Sequence, residues 1–399
     1  MLPRCNDFGP CGGCATQDLP YLQQLAHKQR LLSELLQSVP CPIAPILPCA
    51  EPWRYRNKME FAFGHNAQGE LIIGLRRKGS FSDVLDLRDC WLTSEPGNRL
   101  LNLTREFFRA KNYPVYVHKT HAGLLRFLIV RQSFTHNKLL LVLVLADAAA
   151  ILPEDLTAWI SHLRQQVPEL ASVYLSQQSE KSDTAFSVDM RHLWGDTCLE
   201  EQFVMHATFA APAAAGNAKF RISPLAFFQT NTRQAQVLYQ TIVDAAALSG
   251  TELVLDLFCG TGTIGQLLAP YARWVYGIES IAPAIWDAKQ NATLNGLSNP
   301  TYIVDKSEAW LKWNGNDIDA DVWILDPPRS GLHPKILRKR LPELERRPHK
   351  IIYVSCNPKH LPEDLRLLQQ WYTVNAIQPI DMFPHTPHLE VVVSLQLRQ

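Results

Sequence analysis

The chain has 399 residues, 46% of them hydrophobic, and a formal net charge of +1. That length leaves room for two or three cores, and that composition excludes a disordered polymer. Near-neutral charge makes any nucleic-acid footprint local, and no segment is long and apolar enough to span a bilayer.

The N-terminus carries cysteine and proline where a signal peptide has its apolar core, so a cytoplasmic protein is expected. Nine cysteines, an odd number, argue against a disulfide framework in such a chain. Three of them stand close together, as Cys5-x5-Cys11-x2-Cys14, with Gly9, Gly12 and Gly13 between. Glycines let a short loop turn several thiolates inward, and Cys90 is the candidate fourth ligand. Zinc sites usually show two Cys-x2-Cys units and this chain has one, so an iron–sulfur cluster is preferred. Cys41, Cys49, Cys198 and Cys259 receive no role.

Residues 21–37 have helical periodicity, with Leu22, Leu25, Leu32, Leu35 and Leu36 near one face. Pro40, Pro42, Pro45 and Pro48 then forbid regular structure. The run Trp53-Arg54-Tyr55-Arg56-Asn57-Lys58 interleaves cations with aromatics, which suits phosphates and stacked bases as well as it suits a solvated strand start. From 59 to 190 the pattern is mostly strand, with a hairpin at 74–79 and strands at 124–130, 139–145, 173–176 and 184–189. One helix is expected there, over 155–167, and the whole reads as an α+β domain on an antiparallel sheet. Residues 210–218 read as a loop and 232–247 as a helix.

Strands and helices then alternate to the end, which implies a doubly wound sheet. Seven strands are expected, at 253–258, 274–279, 301–305, 322–326, 351–356, 373–380 and 389–397. Only a loop separates the last two, which suggests a closing antiparallel hairpin. Ligands of such sheets sit outside the carboxyl ends of the strands, and the chemistry-bearing residues collect there. The first strand runs into Asp256-Leu-Phe-Cys-Gly-Thr-Gly262-Thr-Ile-Gly265, whose Asp suits a cationic cofactor better than a pyrophosphate. Glu279 suits a ribose diol and Asp305 an adenine amine. Asp326-Pro-Pro-Arg329 locks a carboxylate at a strand end, and Cys356 follows the apolar run 351–354. Glu390 can approach Cys356 if the last hairpin lies beside that strand. A thiol and a carboxylate beside a methyl donor suggest methylation of an unactivated carbon such as uracil C5. Phe383 and His385 are then candidate partners of a flipped base, and simple loop packing suits them equally well. A basic set, Lys335, Arg338, Lys339, Arg340, Arg346 and Arg347, suits an RNA-facing surface or a solvated helix face.

Together these motifs resemble the RNA uracil-C5 methyltransferases, in particular the bacterial ribosomal-RNA type with an iron–sulfur cluster. The resemblance covers nearly the whole chain and rests on the four cysteines, Tyr55-Arg-Asn-Lys58, Phe227-Phe-Gln-Thr-Asn231, the glycine turn, Ser355-Cys-Asn-Pro358 and residues 381–390. It implies Cys356 as nucleophile and Glu390 as base. It also implies S-adenosylmethionine contacts at Gln229, Phe258, Thr263, Glu279, Asp305 and Asp326, with Thr263 standing where some relatives carry Asn. A [4Fe-4S] cluster at Cys5, Cys11, Cys14 and Cys90 is implied as well. The expected partner is RNA, most specifically 23S ribosomal RNA, with no membrane and no obligate protein partner, and the expected state is a monomer. A tRNA uracil-C5 methyltransferase and an amino-group RNA methyltransferase using Asp326 are the alternatives. The expected division is 1–228 for the cluster and central α+β RNA-binding domain, with helix 20–38 free to pack on the other domain, and 229–399 for the methyltransferase domain. Since the sequence starts at the cluster cysteines, target choice is expected to rest on the first of these.

Overall fold

The computed structural model describes residues 4–181, 185, 189–206 and 216–399. Helix α1 (Tyr21–Leu35) comes first and presents Leu25, Lys28 and Leu32 to the interior, while Leu22 points to solvent. A six-stranded sheet follows, with strands β1 (Lys58–His65), β2 (Leu71–Gly74), β3 (Leu125–Ser133), β4 (Lys138–Leu145), β5 (Leu170–Gln177) and β6 (Met190–Gly195) in the order β2-β1-β3-β4-β5-β6. The apolar run of β4 is covered on both faces, so its pleat serves two cores. Leu139, Leu141, Leu143 and Leu145 pack toward helices α2 (Glu95–Lys111) and α3 (Pro153–Gln166). Leu140, Val142 and Val144 pack toward a ribbon of β7 (Leu199–Met205) and β8 (Gly216–Ile222) and the C-terminal half.

Two expectations for this half need correction. The sheet is mixed, because β5 runs parallel to β4 after the α3 crossover. The strand-rich reading also passed over α2, whose start is written in Ser94, which caps Gly97 N at 3.2 Å, and whose end is a left-handed Asn112. Asn98, Asn102 and Thr104 along it weaken its helical signature. Most of the expected strand 184–189 and of the expected loop 210–218 lies outside the described residues, with β6 starting at Met190 and β8 at Gly216.

After α4 (Thr232–Ala246), the second sheet holds β9 (Leu253–Leu257), β10 (Trp274–Glu279), β11 (Pro300–Val304), β12 (Val322–Leu325), β13 (Lys350–Ser355), β14 (Tyr372–Ile380) and β15 (Glu390–Leu397). Their order is β11-β10-β9-β12-β13-β15-β14. The first five are parallel, and β15 inserts antiparallel between β13 and β14. Helices α5 (Thr263–Leu268), α6 (Ala282–Leu294), α7 (Ser307–Asn314), α8 (Leu341–Glu343) and α9 (Leu361–Leu368) fill the crossovers. All seven strands fall where the sequence placed them, within a residue or two. The proline-rich segment bridges Ile43 to Ile377 and Leu47 to Ile380, so it covers the β14 edge. Leu32 and Leu36 join the core of this second sheet. No described helix is long and apolar enough to cross a membrane.

Candidate active site

Strand order gathers the singled-out residues on one edge of the second sheet. Read across that edge, Asp305 follows β11, Glu279 ends β10, Phe258 follows β9, Asp326 follows β12 and Cys356 follows β13. Glu390 opens β15, whose reversed direction brings its first residue to the same edge. Ser355 pairs with Val391, so one further step of the register sets Cys356 opposite Glu390. The chain reverses its strand order between β9 and β12, where open α/β sheets bind ligands.

The glycine turn is built tightly. Phe258 and Gly262 both take left-handed backbone, with φ of 69° and 74°. A Cβ on Gly262 would stand 2.8 Å from the Tyr302 ring. Asp256 is fully buried and accepts from Gly265 N at 3.0 Å through one oxygen, while its other oxygen has no partner. Glu279 accepts from Gly260 N at 3.3 Å and from Ile281 N at 3.0 Å, so it already braces the turn. Asp305 accepts from Lys306 N at 2.7 Å. Thr263 starts α5, with its hydroxyl 3.3 Å from that of Thr261. Gln229 is buried, and its carbonyl accepts from Asn57 Nδ2 at 2.7 Å.

Electrostatics single out the thiol end of the edge. Burial, then the charges of Glu390 and Asp326, push the Cys356 thiol up to about 11, and Arg329 opposes them. Burial pushes the Asp326 carboxyl up to about 7. Burial, with Asp326 adding to it, raises Glu390 well above the usual carboxylate range, again against Arg329. Glu390 Oε2 is buried without a hydrogen-bond partner. The buried Tyr239 is raised by burial first and then by the charges of Asp326 and Glu390. A carboxylate, a thiol and a nearby cation at the strand ends are equipped for covalent and acid–base chemistry.

The loop from 381 to 389 that delivers Glu390 is held from outside the sheet. Asp381 accepts from Lys28 Nζ at 2.6 Å and from Tyr21 OH at 2.8 Å, and the Lys28–Asp381 pair is buried. Lys28 also donates to the carbonyls of Phe383 at 3.0 Å and His388 at 2.8 Å. Sequence reasoning missed this role; the signal was a lysine seated between Leu25 and Leu32 in the apolar stripe of α1. Of the two roles open to His385, the structure shows packing: the ring is buried and stacked on Trp53 at 3.6 Å. Phe383 is half-buried and packs on the core.

The aromatic and cationic run 53–58 is likewise spent internally. Tyr55 OH donates to Pro384 O at 3.1 Å, and Arg54 pairs with Asp89 at 2.9 Å. Asn57 reaches Thr232 Oγ1 at 2.8 Å. Four of the six cations around 335–347 have internal partners. Arg338 pairs with Glu363, Arg340 with Glu343 and Arg346 with Asp319 and Asp321, while Arg347 lies over the Trp371 ring. That reads as a solvated helix face more than an RNA surface.

Cys5, Cys11, Cys14 and Cys90 line one cavity, together with Trp91 and Gln17. Burial leads the rise of the Cys11 thiol to about 11 and of Cys14 to about 12, and neighbouring thiols add to it. Among the described residues no three His, Cys, Asp or Glu side chains are grouped so as to hold a metal ion.

The fold has a solved counterpart. Pyrococcus abyssi tRNA (uracil-54, C5)-methyltransferase, in complex with S-adenosyl-L-homocysteine, matches with a TM-score of 0.75 at 27% identity, over 97% of this chain and 86% of that one. The second sheet and its loaded edge therefore define a protein of the methyltransferase class. The model of the tRNA (uracil-5-)-methyltransferase family matches residues 175–398. Proteins named as uncharacterized RNA methyltransferases in Caldanaerobacter subterraneus and Clostridium tetani are each 36% identical to it, over 98% of this chain and 84% and 83% of theirs. The chain belongs to the RNA uracil-C5 methyltransferase family.

Proposed function

We propose that this enzyme methylates C5 of a specific uridine in RNA, with S-adenosylmethionine as donor and 23S ribosomal RNA as substrate. The observation that carries the reading is Cys356 standing across from Glu390 beside Asp326 on one sheet edge. The Cys356 thiolate adds to C6 of a flipped uracil, and the C5–C6 π electrons move into the enolate. C5 then takes the methyl group and the sulfonium C–S bond breaks, leaving a neutral thioether. Glu390 accepts the C5 proton, the C5–C6 double bond reforms and the thiolate departs.

The residues fit the donor. Gln229, Phe258, Thr263, Glu279, Asp305 and Asp326 would hold it, and the unpartnered buried oxygen of Asp256 suits a cationic group. The positive sulfonium would also favour the ionised forms of Glu390, Asp326 and Cys356, which burial disfavours.

Cys5, Cys11, Cys14 and Cys90 fit a [4Fe-4S] cluster better than a single ion. Four thiols line one cavity, and four thiolates are the usual donor set of such a cluster, while the single Cys-x2-Cys unit is unlike the paired units of zinc sites. It would supply cross-linking of the loop at 5–14 to Cys90. The cysteine set also favours ribosomal over transfer RNA, since the tRNA-directed branch of the family generally lacks it. We assign residues 1–228 to RNA and cluster binding and 229–399 to the methyltransferase, in a cytoplasmic monomer that needs no protein partner.

The test is methyl transfer to unmodified 23S ribosomal RNA and unmodified tRNA, by wild type and by Cys356→Ala. Transfer to 23S RNA alone, abolished in the variant, is expected. Transfer to tRNA alone would move the substrate, and full activity of Cys356→Ala would move the chemistry to an amino group.

A further inference from the structure

The cysteine-lined loop and the loop that carries Glu390 are fastened to each other at one residue. The backbone carbonyl of His385 accepts from Ala15 N at 2.8 Å and from Thr16 N at 3.2 Å, directly after Cys14. Its N–H donates to Gln24 Oε1 at 3.0 Å, and its Nδ1 lies 3.2 Å from Gln24 Nε2. Thr16 Oγ1 donates to the same Gln24 oxygen at 3.0 Å. On the ring's face, Trp53 stacks at 3.6 Å and meets Trp91 edge-on at 5.3 Å. Trp91 follows Cys90 and lines the cysteine cavity. Both walls of that cavity therefore reach His385, one through the backbone at 15–16 and the other through two tryptophans.

His385 is 3% exposed and holds a left-handed backbone at φ 64°. A non-glycine residue keeps such a conformation where its surroundings over-determine it, commonly beside an active site. Burial holds its imidazole down to about 4, so the ring is neutral near pH 7 and offers a fixed surface. Four residues separate it from Glu390, and that short stretch is itself pinned. Thr386 Oγ1 donates to Phe383 O at 2.8 Å, and Lys28 Nζ donates to His388 O at 2.8 Å.

We propose that His385 is a positioning residue through which the cysteine-lined loop sets the place of Glu390, so that loosening this tie slows release of the covalent intermediate and spares its formation. The proposal rests on the roles given above to Cys356 and Glu390. Attack and methyl transfer use groups that directly follow β12 and β13, outside the 381–389 loop. Proton removal from C5 uses Glu390, the first residue of β15, which directly follows the pinned 381–389 loop, so that step lies nearest the tie.

Rapid-quench single turnovers on uridine RNA with labelled S-adenosylmethionine separate the two steps. In His385→Ala the methylated protein–RNA adduct is expected to form within about threefold of the wild-type rate and to decay about a hundredfold more slowly, the loss expected for a base displaced by about an ångström. The adduct then accumulates on ordinary uridine. His385→Asn should recover most of the decay rate, since Asn tolerates left-handed backbone and offers Gln24 an amide. Gln24→Leu should accumulate adduct as His385→Ala does, and it serves if His385→Ala fails to fold. Amide hydrogen exchange across 385–390 should rise in Cys14→Ser. Equal slowing of both steps, a loss confined to RNA affinity, or unchanged exchange in Cys14→Ser would overturn the tie. Absence of any adduct from wild type on 5-fluorouridine RNA would instead remove the mechanism beneath it.

Discussion

Cys356, the proposed nucleophile, is held in its thiol form by its surroundings. Its thiol is raised to about 11, above the ordinary value, so the thiolate fraction near neutrality is lower than that of a free cysteine. Alkylation by iodoacetamide is therefore expected to be slow at pH 7 and to climb toward pH 11. Bound S-adenosylmethionine should accelerate it at fixed pH by bringing a cation beside the thiol, and the neutral product should not. Rates that level off near pH 8 without cofactor would contradict this. Asp326, raised to about 7, is half-protonated at neutrality, and an adjacent cation lowers it. Donor binding near pH 7 should then release protons. Calorimetry in buffers of different ionisation enthalpy reads that release, which should shrink with S-adenosylhomocysteine. Cys356 and Glu390 were legible in the sequence because each abuts a strand end whose β-branched run is unmistakable. For His385 the sequence leaves base contact and loop packing both open, because it displays a ring but not the Trp53 face that covers it.

Helix α1 lies far from the catalytic strands in sequence and yet fixes their last loop. Breaking the buried Lys28–Asp381 pair leaves an uncompensated charge in the interior, and Lys28→Met is expected to cost about 3–5 kcal/mol of stability. Chemical denaturation reads it, and Lys28→Met combined with Asp381→Asn should recover part of the loss. An unchanged midpoint in the single variant would show that the pair is idle. The glycine turn gives a second test. Gly262→Ala forces a side chain into left-handed backbone, costing roughly 1–2 kcal/mol, and aims its Cβ at Tyr302. Cofactor affinity should fall with it, as a binding titration would show. The seven strands of the second sheet were readable because turns punctuate short apolar runs at regular intervals. Helix α2 was not, since its polar inner residues Asn98, Thr104 and Arg105 are buried by tertiary partners that periodicity does not reveal.

At the scale of the molecule, two sheets share one continuous core, from Val142 and Phe127 through Phe203 and Phe228 to Ile324 and Val354. The cysteine loop and the catalytic edge meet across that junction, and tertiary contacts of this kind leave no spacing pattern in the chain. The sequence nevertheless placed Asp305, Glu279, Phe258, Asp326, Cys356 and Glu390 at strand ends, because alternating strands and helices imply a doubly wound sheet. The most direct test of the chemistry there is mass spectrometry of the protein after incubation with S-adenosylmethionine and RNA containing 5-fluorouridine. Fluorine at C5 cannot leave as a proton, so the intermediate should persist. A stable adduct that carries one methyl group and maps to Cys356 is the expected result. No adduct, on an RNA that the enzyme methylates in its uridine form, would contradict covalent catalysis by Cys356.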